Sequence, residues 1–212
     1  MNIRANDIKE LNKEELNRFQ IIRKDARSCF VETKSDRFGI GKVHMEFAAY
    51  DAKRPVGERQ TNHVNIYIDV PEFLHLANEA LSGALHMRAK RQRESSDNTP
   101  LFEHLGGTSA ERLANLGRTR PDGKSLSRIV KLILGQKADY LFVADSGAGE
   151  TDAKGLIVPR FGKSPENHVS VSLSWRSLNE LLLMTQVHYG AWLAAWYANK
   201  PDMQPFNGIN GI

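Results

Sequence analysis

Seven histidines and a scatter of carboxylates are the first candidates for chemistry in this 212-residue chain, since proton transfer and metal binding both need such groups. His44, His63, His75, His86, His104, His168 and His188 lack the spacing that places two ligands on one helix face. His63 and His168 each open an apolar strand-like run, which suits a shared metal less well than a strand start written twice. Asp145, Glu150 and Asp152 are close in sequence, but they lie among glycines and read as turn residues of a hairpin, not as a metal-binding cluster for nucleic-acid hydrolysis. Gly117 with Gly123-Lys124-Ser125 misses the phosphate-loop spacing by one residue, and no serine has the setting of a nucleophile elbow. A non-catalytic protein without metal or cofactor is the expectation.

The basic residues form the more coherent pattern. Lys34, Arg37, Lys42, His44, Asn65 and Tyr67 in the first half, with Lys154, Arg160, Lys163 and His168 in the second, fall on outward strand positions or hairpins. Lys53, Arg54 and Arg59 crowd the loop Asp51 to Thr61. Cations neutralise phosphates, and aromatic faces stack on unpaired bases whatever their identity, so such a surface suits single-stranded nucleic acid. DNA or RNA bound largely without sequence preference, and DNA first, is the expected partner. The alternative left open is a structural or assembly protein that binds another protein through its sheets.

Positioning these residues requires sheets. Asn62-His63-Val64 opens a run with Val64, Ile66, Ile68 and Val70 on one face, and Asn167-His168-Val169 opens another with Val169, Val171, Leu173 and Trp175 inside. Both alternate with period two and both run into a helix. Asp69 and Pro71 mark the first helix start, with apolar spacing out to Leu85; Ser177 with Glu180 reads as a capping box for the second. Upstream, Phe30-Val31 answers Phe142-Val143, Lys42 to Phe47 answers Leu156 to Phe161, and a first strand at Phe19 to Arg23 answers one at Ile129 to Leu134, an apolar run whose length also fits a short helix. The expected fold is α+β, an internal duplication of a four-stranded antiparallel sheet followed by a helix (ββββα-ββββα). Its expected parts are a helical extension at 1–18, a first repeat at 19–87, a basic linker at 88–125 with two helical turns over Ser109 to Leu116, a second repeat at 126–198 and a loose tail at 199–212.

A composition of 41% hydrophobic and 25% charged residues suits an ordinary globular core, and a formal charge of +4 leans mildly toward polyanions. One cysteine, Cys29, permits neither an intrachain disulfide nor a thiolate zinc site. With no run of roughly 20 apolar residues, a soluble, cytoplasmic protein is expected.

The two strand-helix junctions, Asn62 to Leu85 and Asn167 to Trp196, together with the topology over Phe19 to Tyr197, resemble the Whirly proteins and, more distantly, the positive-cofactor-four type coactivators. The resemblance implies two curved sheets packed through their helices, single-stranded nucleic acid bound on the sheets, and oligomerisation through the helices. The lysine-glycine-lysine motif of plant Whirly proteins is echoed only loosely, at Gly39-Ile40-Gly41-Lys42. The apolar C-terminal helix, with Trp192, Trp196 and Tyr197, fits burial against a second copy.

Overall fold

Alternating apolar residues need two covered faces, and the chain supplies them with two antiparallel sheets and two long helical segments. The computed structural model describes residues 18–95 and 97–199. The extension at 1–17 and the tail beyond 199 lie outside those residues.

The first sheet is a meander of β1 (Gln20–Asp25), β2 (Cys29–Lys34), β3 (Lys42–Tyr50) and β4 (Gln60–Asp69), in that order. Val31 pairs with Phe47, Thr33 with Met45, Phe47 with Val64 and Met45 with Ile66, so these side chains share one face and are buried. β4 passes without a break into α1 (Val70–Leu81), which buries Phe73, Leu76, Ala77 and Ala80. The helix does not continue to Leu85 as its apolar spacing suggests. Gly83 adopts a left-handed φ of 82°, and a second helix, α2 (Ala84–Ser95), follows. Asp69 stands at the N-cap position, but its carboxylate accepts from Lys42 Nζ at 2.7 Å and does not cap the helix.

The stretch expected to be a linker is built into the fold. It holds most of α2, then β5 (Phe102–Thr108) and α3 (Ala110–Asn115), where the two helical turns form behind an N-cap at Ser109. Of the basic run at its start, Arg88 grips Glu79 and the Leu101 carbonyl, and Arg93 donates to the Asp139 carbonyl. The second sheet runs β5, β6 (Ser125–Leu134), β7 (Tyr140–Thr151) and β8 (Ile157–Pro159), with β9 (Asn167–Leu173) also on β7. Residues 140–146 of β7 carry β9, while residues 149–151 carry β8 on the same side.

This order corrects the expected alignment of the halves. Ile129 to Leu134 belongs to the second strand of its sheet, not the first, and Leu156 to Phe161 contributes only the short β8, not a third strand. Asp145 and Glu150 lie within β7 and not in a turn. Strand β9 ends at Leu173, so Trp175 is the exposed first residue of α4 (Trp175–Ala198) and not a buried strand residue. Ser174 caps that helix by accepting from the Ser177 amide, and Asp139 accepts from the Trp175 amide at 2.7 Å, so the capping box at Ser177 and Glu180 does not form. Glu180 instead meets Lys24 and Arg176. What holds is an α+β chain with antiparallel sheets of four and five strands and a C-terminal helix.

The sheets share one core. Strand β9 lies across β2, β3 and β4, Cys29 Sγ reaches the Ser170 carbonyl at 3.1 Å, and the rings of Phe47 and Phe142 meet edge to face at 5.8 Å. Helix α4 covers β1 and β2, packs on α1, and places Tyr189 and Trp192 around the buried Phe38. No helix among the described residues is long and apolar enough to cross a membrane.

At its far end the second sheet curls until β8 meets β5 and β6. Glycine makes that approach possible: a Cβ on Gly107 would stand 2.4 Å from the Leu126 carbonyl and 2.9 Å from Ile157. Backbone cannot yield as a side-chain tip can, so Gly107→Ala is expected to cost roughly 2 kcal/mol. A fall in the denaturant midpoint measures it, and a variant as stable as the parent would refute the close packing.

Candidate nucleic-acid interface

Most of the basic residues expected on the outer face of the first sheet are tied to neighbouring carboxylates. Lys34 meets Glu32 at 2.9 Å and also Glu46, and His63 Nε2 lies 3.0 Å from Glu46 Oε1. His44 is buried, with Nδ1 on Asp36 at 2.9 Å and Nε2 on Asn65 at 2.8 Å. His44, Asn65 and Lys34 thus stiffen the sheet and have little left to offer a ligand. Burial alone would raise the Glu46 carboxyl, but His63 and Lys34 beside it hold its pKa at about 2.

A carboxyl held that low stabilises the fold above its ordinary value of 4.5, and the contribution drains away as the pH falls toward 2. Thermal melts between pH 6 and 2.5 should decline over that window. Glu46→Gln should flatten the decline and cost roughly 2 kcal/mol at neutral pH, because Lys34 is left with Glu32 alone. An unchanged pH profile in the variant would show that Glu46 carries no such charge.

The peripheral candidates are exposed and scattered. Lys53, Arg54 and Arg59 line the β3–β4 loop, where Arg54 approaches Asp51 and Arg59 Nε donates to the Arg54 carbonyl. Arg160 pairs with Glu150 at 2.9 Å, His168 with Asp145 at 2.7 Å, and Lys154 and Lys163 project from the loops flanking β8. These do not converge on one place. Among the described residues no group of three or more side chains is gathered to hold a metal. His63 and His168 stand on different sheets, each facing its own carboxylate.

Convergence occurs elsewhere, between the edge strands β4 and β5. A cleft of about 410 Å³ is lined by Arg37, Ile40, Lys42, Ile66, Tyr67 and Asp69 from the first sheet, by His104 to Thr108 from β5, by Arg112, Leu116 and Arg118 around α3, and by Arg128 from β6. Only Arg37, Lys42 and Tyr67 of these belong to the expected binding set. Five Lys and Arg side chains thus face one carboxylate, Asp69, which Lys42 already takes. Arg37 leans on Asp36 at 3.2 Å, and no ion pair is formed by Arg112, Arg118 or Arg128 among the described residues.

Arg128 is the most demanding of the three. It continues the inward row of Val130 and Leu132 on β6, both fully buried, and lies opposite Ser146 in register. Its Nη1 donates to Thr108 Oγ1 at 3.0 Å, and its guanidinium lies 5.9 Å from the Tyr67 ring. Burial, with Arg118 nearby, pushes its pKa below the ordinary guanidinium value against a smaller opposing influence of Tyr67. Tyr67 is flanked by His44 at 4.7 Å and by Arg37 at 5.9 Å, so its ring sits between an imidazole and two guanidinium groups.

The loop carrying Arg118 is itself anchored. Arg120 clamps Asp122 at 2.9 Å and Glu166 at 2.5 Å, and these contacts raise its pKa further. Arg120 is therefore structural, while Arg118 is left to the cleft. A ligand suited to this place is anionic, planar in part, and small enough to enter between two sheet edges. No family model matches the chain, and neither a curated protein nor a solved structure is significantly similar to it.

Proposed function

We propose that the protein binds single-stranded nucleic acid, DNA in the first place, without catalysis and largely without regard to sequence. The observation that carries this reading is the cleft itself: Arg112, Arg118 and Arg128, which among the described residues form no ion pair, line it together, and Arg128 lies over the Tyr67 ring. Of these only Arg128 is half-buried; a guanidinium held there without an opposite charge costs stability, and a polyanion that supplies that charge recovers it. Phosphates satisfy the arginines, and a base lies against the ring.

The Whirly-like duplication belongs to the same reading. It is supported by β4 and β9 each entering a helix directly, and by His63 and His168 each meeting a carboxylate of the neighbouring strand. Assembly of like subunits through α4 is supported by the exposure of Leu183, Met184 and Val187 on that helix.

Fluorescence anisotropy with labelled single-stranded oligonucleotides at two salt concentrations tests the reading. Binding in the micromolar range or tighter, weakening with salt, is the expected outcome. Affinity absent at low salt, or indifferent to salt, would sink it.

A further inference from the structure

The three arginines that form no ion pair among the described residues are gathered within one cleft and not spread along a groove that a run of several diesters would follow. Arg112 comes from α3, Arg118 from the loop behind it and Arg128 from β6, so all three line the second-sheet side of the cleft, its arginine end, with Arg118 near Arg128. The carboxylate, Asp69, and its partner Lys42 belong to the other wall, on β4 and β3. A cavity of about 410 Å³ is in the range of small-molecule sites, roughly 300–1,000 Å³, room for one nucleotide of a strand and not for several in a row. A phosphodiester brings one negative charge, whereas a phosphomonoester approaches two at neutral pH and offers three oxygens to forked donors.

We propose that the arginine end of the cleft is a subsite for the phosphomonoester of a nucleotide, with the base of that nucleotide against Tyr67. The inference rests on the reading of the cleft as a nucleic-acid interface and narrows it from any stretch of strand to a phosphorylated terminus or a free nucleotide. Arg128 and Arg118 grip the phosphate from two sides, and Arg112 supplies the remaining charge. Arg37 and Tyr67 hold the nucleoside.

Two oligonucleotides of one sequence, with and without a terminal phosphate, are titrated by anisotropy, and a nucleoside 5′-monophosphate and inorganic phosphate are added as competitors. The phosphorylated strand should bind at least about tenfold tighter. That gain should vanish in Arg118→Ala, an exposed residue whose loss leaves the core untouched, and in Arg128→Met. The monophosphate should abolish the gain, and inorganic phosphate should do so only at higher concentration because it has no base to place on Tyr67. Equal affinity for the two strands overturns the subsite while leaving single-strand binding intact. Binding of the monophosphate without binding of either strand keeps the subsite, makes the free nucleotide its ligand, and removes the strand reading. Failure of strands and nucleotide alike removes both.

Discussion

Replacing Arg128 by methionine is expected to weaken single-strand binding by about tenfold or more while leaving the protein as stable as before, or more so. Methionine keeps the apolar stem that extends the row of Val130 and Leu132, and it discards a charge that, among the described residues, meets only the Thr108 hydroxyl and the Tyr67 ring it lies over. A charged group retained at the margin of a core without an opposite charge is unfavourable for folding alone. Opposite movements of affinity and melting temperature would therefore show that the charge serves the ligand. The slope of affinity against salt should fall by about one contact at the same time. Should the variant melt lower with binding unchanged, Arg128 is a structural group and the cleft loses its central residue.

Phe142→Ala should cost about 3–5 kcal/mol, a large part of the roughly 5–15 kcal/mol that holds a domain of ordinary size. Phe142 is fully buried, pairs with Leu132 on one side and Val171 on the other, and meets Phe47 across the two sheets. Its ring is thus part of the contact that makes one core of two sheets. In the parent protein, denaturation followed by circular dichroism and by tryptophan fluorescence should give coincident transitions. The three tryptophans all lie on α4, which covers the first sheet, so an independent second sheet would separate the two signals.

The parts of the fold legible in the sequence are those where a single strand carries its own pattern. Val64, Ile66 and Ile68, and Val169, Val171 and Leu173, alternate cleanly because each strand has one face in the core, and both lead into helices as their spacing predicts. Strand β5 escaped notice because Gly106 and Gly107 erase its alternation, the same small residues that let the sheet curl. Strand β7 was divided wrongly because its glycines at 147 and 149 resemble a turn, although they lie inside a strand over which Phe161 and Ile157 fold. The cleft was legible only in part. Arg37, Lys42 and Tyr67 stand on strands or turns with a readable outward face, whereas Arg128 occupies an inward position where periodicity calls for an apolar residue. That violation of pattern is itself the signal, visible once β6 is started at Ser125.

Strand β7 is shared between two neighbours, β9 on residues 140–146 and β8 on residues 149–151. Its first half is locked between β6 and β9, in a core that both sheets share, so its amides should exchange with solvent only through global opening. Its last residues are held by a three-residue partner and should exchange through local opening at lower free energy. Arg128 faces Ser146, the last residue of the locked half. A ligand gripped there stands at the boundary between the two regimes, and the fast-exchanging end of β7 is where its arrival should slow exchange the most.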